Sequence, residues 1–181
     1  MESTHNNETA QNPAFNAKDD NAEKTFDDPL GHVKFTPEEC DEKLLQGIYQ
    51  TAAMFMDGAN ALKAKIKDEK LKDTIALECH GIDNIMDEAV RIMRSKKIEP
   101  KLPNIFARAA SWMGIQLNSL ISAENRRTAE IMMDGCLMGI YGCIENIYDF
   151  QKASPEIKEL GENLMRILEK YLDSMKYFLT H

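Results

Sequence analysis

The chain has 181 residues, 43% of them hydrophobic and 29% charged, enough for one domain with a real core plus a tail. Its net charge of −8 and pI near 5.1 argue against unspecific nucleic-acid binding, which needs clustered cations to neutralise phosphates. No run approaches the ~18 apolar residues of a membrane span, and the polar, acidic start does not look like a secretory leader, so a soluble cytoplasmic protein without membrane attachment is expected.

Residues 1–35 carry five asparagines, Pro13, Pro29 and many acids with almost nothing apolar. They cannot bury enough surface to offset the entropy of ordering, which predicts a disordered acidic arm ahead of a folded domain at 36–181. The boundary is marked by "FTPEEC": Thr36 as N-cap, Pro37 at the first helical position and Glu39 at the third form a capping box with a proline start. From here the apolar residues follow a helical period, and no period-2 stretch flanked by turn residues occurs.

The first predicted helix covers about 37–66, with Leu45, Ile48, Ala52, Phe55, Ala59, Leu62 and Ile66 stepping by three and four. A second opens near Asp68 and continues through Leu71, Ile75, Ile82, Ile85, Ala89 and Ile92. The two prolines of "SKKIEPKLPN" then break the pattern. A further amphipathic segment, with Phe106, Ala110, Met113, Leu117 and Leu120, leads into a third long helix at about 122–151. Whether 103–121 continues into that helix is left open by the pattern. Ser154 and Pro155 start a fourth helix, lined by Ile157, Leu160, Leu164, Ile167, Tyr171, Met175 and Phe178. The first and second helices, and the third and fourth, are joined by short turns and pair as antiparallel hairpins. About twenty-five residues separate the two hairpins.

Met56-Asp57-Gly58 and Met133-Asp134-Gly135 align at an offset of 77 residues, in the corresponding helices of the two hairpins, as two copies of one hairpin would place them. The Asp-Gly pairs lie inside helices, where glycine costs roughly 1 kcal/mol relative to alanine. Gly135, Gly139 and Gly142 of the third helix, at near-helical spacing, are therefore read as a face of close helix contact within the bundle or between subunits.

Four stretches, "KLLQGIYQTAAMFMDGANALKAKIKDEKLKD", "MGIQLNSLI", "TAEIMMDGCLMGIYGCIENI" and "IKELGENLMRILEK", together resemble the ferritin-like superfamily, and more closely its small bacterial domains of unassigned function. The resemblance implies an all-α antiparallel four-helix bundle with a long helical crossover between the second and third helices. It also implies an ancestral link to di-iron proteins.

A di-iron centre of that kind needs an inward Glu from two helices and a Glu-x-x-His from each of the other two. The only Glu-x-x-His here runs from Glu2 to His5, in the arm. The second helix offers Glu78, His80 and Asp83 at unsuitable spacing, and Arg166 stands where the resemblance would place a carboxylate. Asp57 projects opposite the apolar stripe and reads as solvated, as does Asp134, although the third helix is apolar nearly all round. Glu78 interrupts the inward stripe between Ile75 and Ile82, and a buried carboxylate has to be paired, hydrogen-bonded or protonated.

Cys40, Cys79, Cys136 and Cys143 form no Cys-x-x-Cys pair and read as reduced core thiols; the eleven methionines read as adaptable core filler. No catalytic constellation is present. The expected function is that of a non-enzymatic bundle with a degenerate metal site and no cofactor, acting through self-association or a protein partner at the glycine face of the third helix. The alternative is an atypical iron-binding or oxidoreductase member using Glu78, His80, Asp83 and Asp134. A bundle enclosing a small apolar ligand is a third possibility that the residues do not single out.

Overall fold

The Thr36 hydroxyl accepts the Glu39 N–H (3.2 Å), and the Glu39 carboxylate accepts the Thr36 N–H (2.8 Å), closing the expected capping box. In this computed structural model, residues 35–101 and 125–180 are described. Four helices run Pro37–Lys63 (α1), Glu69–Ser95 (α2), Asn125–Asp149 (α3) and Pro155–Lys176 (α4), followed by a short 3₁₀ turn at Tyr177–Leu179. No strand occurs among the described residues. None of the described helices is long and apolar enough to cross a membrane. The arm at 1–34 and the segment at 102–124 lie outside the described residues, and with them the expectations about arm disorder and a helical crossover.

α1 packs beside α2, and α3 beside α4; α1 also borders α3 and α2 borders α4, so α2 and α3 stand across the diagonal. The core is aliphatic: Leu44, Leu45, Ile48 and Leu62 of α1 meet Leu71, Ile75 and Ile82 of α2, Ile131 of α3, and Ile157, Leu164 and Leu168 of α4. Phe55 packs edge-on against Tyr171, ring centroids 4.9 Å apart.

Helix direction is fixed by two carboxylates near opposite ends. Asp41, buried in the first turns of α1, accepts the Ser154 N–H at the start of α4 (2.6 Å) and the Lys96 ammonium at the end of α2 (2.8 Å). At the other end Asp68 caps α2 by accepting the Leu71 N–H (2.8 Å) and also accepts the Asn125 carboxamide at the start of α3 (2.9 Å). α1 and α4 therefore start together at one end, and α2 and α3 at the other. The ends of the segment joining α2 to α3 are consequently separated by the length of a 27-residue helix, roughly 40 Å.

Three helix ends show what sets them, and one of the three differs from the periodicity. α1 stops at Lys63 rather than 66, because the Lys65 N–H tightens onto the Leu62 carbonyl (2.8 Å); Ile66 still enters the core from the turn. α2 stops at Ser95, well before Pro100. Lys97 has φ 58°, the Ile98 N–H reaches the Met93 carbonyl (2.8 Å) and the Lys97 N–H reaches Arg94 (3.2 Å), which is a Schellman ending with lysine where glycine is usual. Ser154 occupies the N-cap of α4, but its hydroxyl makes no cap bond; Asp41 supplies the acceptor from another helix.

Beyond Lys97 the chain is held by α1. Gln46 donates to the Glu99 carbonyl (2.6 Å) and accepts the Lys101 N–H (3.0 Å), so one carboxamide satisfies the backbone on both sides of Pro100, which has no N–H of its own.

Burial works to raise the pKa of Asp41, but the Lys96 ammonium and the Ser154 N–H outweigh it and hold the carboxyl below its ordinary value. A depressed folded-state pKa contributes stability above the unfolded value, near 3.9, which is lost as pH falls through the folded value. Asp41→Asn should destabilise the fold by about 1.5 kcal/mol at neutral pH, Lys96 being open enough to water to screen the pair. Urea titrations across pH 7 to 2 should show this gap closing on the acid side. Lys97→Gly should relieve the left-handed backbone and raise stability by about 0.5–1 kcal/mol, seen as a melting temperature higher by about 2–3 °C.

Candidate functional site

Two features of the fold bear on chemistry: a polar locus inside the bundle around Glu78, and the outer face of α3.

The period of α2 that buries Ile75, Cys79 and Ile82 also carries Glu78 inward, at 7% exposure. One carboxylate oxygen accepts the Ser174 hydroxyl of α4 (3.2 Å), and the other lies 3.7 Å from the Lys170 ammonium. Lys170 is largely in water, so it covers the carboxylate with its stem and keeps its charge at the rim. Of the partners considered for a buried glutamate, the structure supplies the lysine together with a serine hydroxyl.

The tyrosine beside it makes no such bond. Tyr171 is fully buried, and its hydroxyl has no hydrogen-bond partner among the described residues. Burial pushes its pKa far up, and the nearby Cys79, Cys136 and Glu78 push it further. The thiols respond in the same sense. Cys79 is pushed up to about 11 by burial and then by Asp83, Cys136 to about 12 by burial and then by Glu78, and Cys143 to about 12 by burial alone. All four cysteines are buried and unpaired. At neutral pH Cys79, Cys136 and Cys143 are protonated and poor nucleophiles.

The four candidate metal ligands are not brought together. Glu78 points into the bundle, while His80 and Asp83 on the same helix are exposed. Asp134 is exposed on α3, across the diagonal from α2, and Asp57 is exposed on α1. Among the described residues no three His, Cys, Asp or Glu side chains stand where they could hold a metal ion. Arg166 is exposed and donates to its neighbour Asn163. With Asn84, Ile85, Ile167 and Lys170 it lines a groove of about 400 Å³ between α2 and α4. Its mixed, charged rim is unlike the enclosed apolar chamber that a hydrophobic ligand requires.

The three glycines of α3 do not make one contact face. A methyl group added at Gly139 would meet Leu168 at 2.8 Å and Thr51 at 3.4 Å, so that glycine does admit α4 and α1 closely. A methyl at Gly142 would be 4.0 Å from the nearest such atom, and one at Gly135 would have no atom of the described residues within 4 Å. The duplicated Met-Asp-Gly phrase diverges likewise: Gly58 is buried and Gly135 is not.

What the glycine reading missed is the side of α3 facing away from the core. Leu137, Met138, Tyr141, Ile144 and Tyr148 are each 52–64% exposed, and they are five of the seven large apolar side chains exposed among the described residues. Four of them, at 137, 141, 144 and 148, step by four, three and four, which places them in one stripe. Cys136 and Cys143 face the core on the opposite side. The hint in the sequence was the all-round apolarity of this helix, since a helix lining a bundle on one side has no internal need for a second apolar face.

No family model, curated protein or solved structure matches this chain.

Tyr171 yields a direct measurement. An orphan hydroxyl in an apolar core carries a desolvation cost of about 1–3 kcal/mol, whereas its ring fills the space against Phe55. Tyr171→Phe should leave stability unchanged or raise it by up to about 1 kcal/mol, and Tyr171→Ala should lower it by about 3–5 kcal/mol, both read from urea unfolding midpoints.

Proposed function

We propose that this chain is a non-enzymatic, ferritin-like helical bundle whose metal site is degenerate and whose work is done by protein association through the outer face of α3. Three observations support the ferritin-like part. The chain forms two helical hairpins; α2 and α3 start from the same end, as do α1 and α4; and the segment joining the hairpins begins and ends at opposite ends of the bundle. That connectivity is the one the sequence resemblance implies. The scattered ligands and the protonated thiols favour association over redox or hydrolytic chemistry.

The observation that carries the functional reading is the stripe on α3. Five large apolar side chains at half to two-thirds exposure leave roughly 600 Å² open, at the upper end of the largest patches on monomeric proteins. Patches of that size on a regular element are where partners dock. Between Thr128 and Asp149 the helix also bears Glu130, Asp134, Glu145 and Asp149 with no lysine or arginine, so the stripe has an acidic surround that keeps it soluble until it is covered.

The purified chain should scatter light as an oligomer at tens of micromolar, and Leu137→Glu with Ile144→Glu should return it to the monomer mass with its helical circular dichroism unchanged. A chain that stays monomeric and retains no partner sinks the association reading. Stoichiometric iron after anaerobic loading, lost on Glu78→Ala, would establish the metal-binding alternative in its place.

A further inference from the structure

Resting on the association reading, the geometry points to a second copy of this chain as what covers the outer face of α3, packed antiparallel about a two-fold axis passing between Tyr141 and Ile144. The stripe reads the same in both directions: Leu137, Tyr141, Ile144 and Tyr148 are separated by four, three and four residues. Reversing the helix therefore superposes the stripe on itself. In the paired helices Leu137 lies against Tyr148 of the partner subunit, and Tyr141 against the partner's Ile144. Each of the four layers then matches one ring with one aliphatic side chain, and the same patch serves both copies, as a two-fold interface requires.

Side-chain matching decides between this arrangement and the parallel one. A parallel, in-register pair sets Leu137, Tyr141, Ile144 and Tyr148 each beside its own copy, ring on ring and aliphatic on aliphatic. The antiparallel register brings Asp149 level with the partner's Cys136 and within two residues of the partner's Asp134, so the two copies share acids along one rim. The tyrosine at the centre is prepared for a dry contact, since its hydroxyl is bonded to Glu145 on its own helix, which raises its pKa. Helix dipoles run in opposition in this pair. The area is also adequate: roughly 600 Å² of apolar side chain plus its polar rim approaches the ~800 Å² per partner of an ordinary stable interface.

A foreign amphipathic helix would be selected by the acidic surround and would have to be basic, so its binding would weaken with salt. The self-pair has the opposite dependence, because salt screens the acids that the two copies share. Sedimentation of the intact chain should show dimerisation tightening several-fold between 20 and 500 mM salt.

Register is read by cysteine cross-linking at exposed positions, where substitution does not threaten the fold and the four native thiols are buried. Tyr141→Cys and Ile144→Cys should each form a disulfide-linked dimer under mild oxidation, their copies being offset by three residues, about 4.5 Å along the axis. Leu137→Cys and Tyr148→Cys should each fail alone, with offsets of about 16 Å, and should cross-link when the two variants are mixed. Efficient cross-linking of all four variants alone means parallel pairing and overturns the proposal. A dimer by mass that cross-links at none of these positions uses another face, which overturns the proposal while leaving association standing. A monomer at every concentration overturns both. If Leu137→Glu then lowers the melting temperature, the face belongs to residues 102–124 of the same chain; if the monomer binds a basic helical peptide, it belongs to a foreign partner.

Discussion

The arrangement of the four helices depends on carboxylates that bond across helix ends, Asp41 above all. A helix start that is buried against neighbouring helices presents N–H groups that water cannot reach, and something has to accept from them. For α4 that acceptor is Asp41, 113 residues away in sequence and supplied by α1. The same side chain holds the Lys96 ammonium at the end of α2. One residue thus gathers two helix starts and one helix end, with Asp68 and Asn125 joining α2 to α3 near the far end. Between these points the core is almost wholly aliphatic, and aliphatic packing alone is tolerant of which neighbour it meets. The directional bonds of the two aspartates select one order of helices out of several that would bury the same surface.

This division explains what the sequence made legible. Local signals were sufficient wherever the cause was local: Thr36, Pro37 and Glu39 specify the start of α1 by themselves, and the steps through Ile75, Ile82 and Ile85 identify the buried side of α2. The outward placement of Asp57 follows from the same arithmetic. Tertiary causes left no such trace. Ser154 has the residue type of a cap and leaves the role to Asp41. Lys97 takes a left-handed conformation that its side chain disfavours, because Ile98 packs against the core from that turn. The α3 glycines lie within one sector of the helix, and only the positions of α1 and α4 determine that Gly139 borders them while Gly135 borders neither.

The interior at the level of Glu78 groups polar side chains within an aliphatic core. Glu78 places a carboxylate at a buried level of the bundle, and burial with this carboxylate beside them raises the pKa values of Tyr171, Cys79 and Cys136. The phenol and the two thiols are all driven toward their neutral forms by burial, and Lys170 and Ser174 meet the carboxylate. A site that worked on protons or metals would combine groups with opposed shifts, an acid held neutral beside a base held charged. Here the thiols and the phenol shift together, as a core pushes any polar group it swallows.

The outer side of α3 obeys the opposite logic, and this makes it the more informative surface. Inside a bundle, apolarity is required by folding and says nothing about use. Outside, a position in water can take almost any polar residue at little cost to the fold, so Leu137, Tyr141, Ile144 and Tyr148 are not explained by the stability of this chain alone. Single exposed apolar residues need no explanation, but a row of four at alternating steps of four and three is the pattern that aligns side chains along a second helix. α3 already satisfies α1 and α4 with its inner side, through Ala129, Ile131, Met132, Cys136 and Cys143. Its outer side therefore has the spacing of a helix interface with no helix of the described bundle to meet, and that mismatch is what the proposal of association rests on.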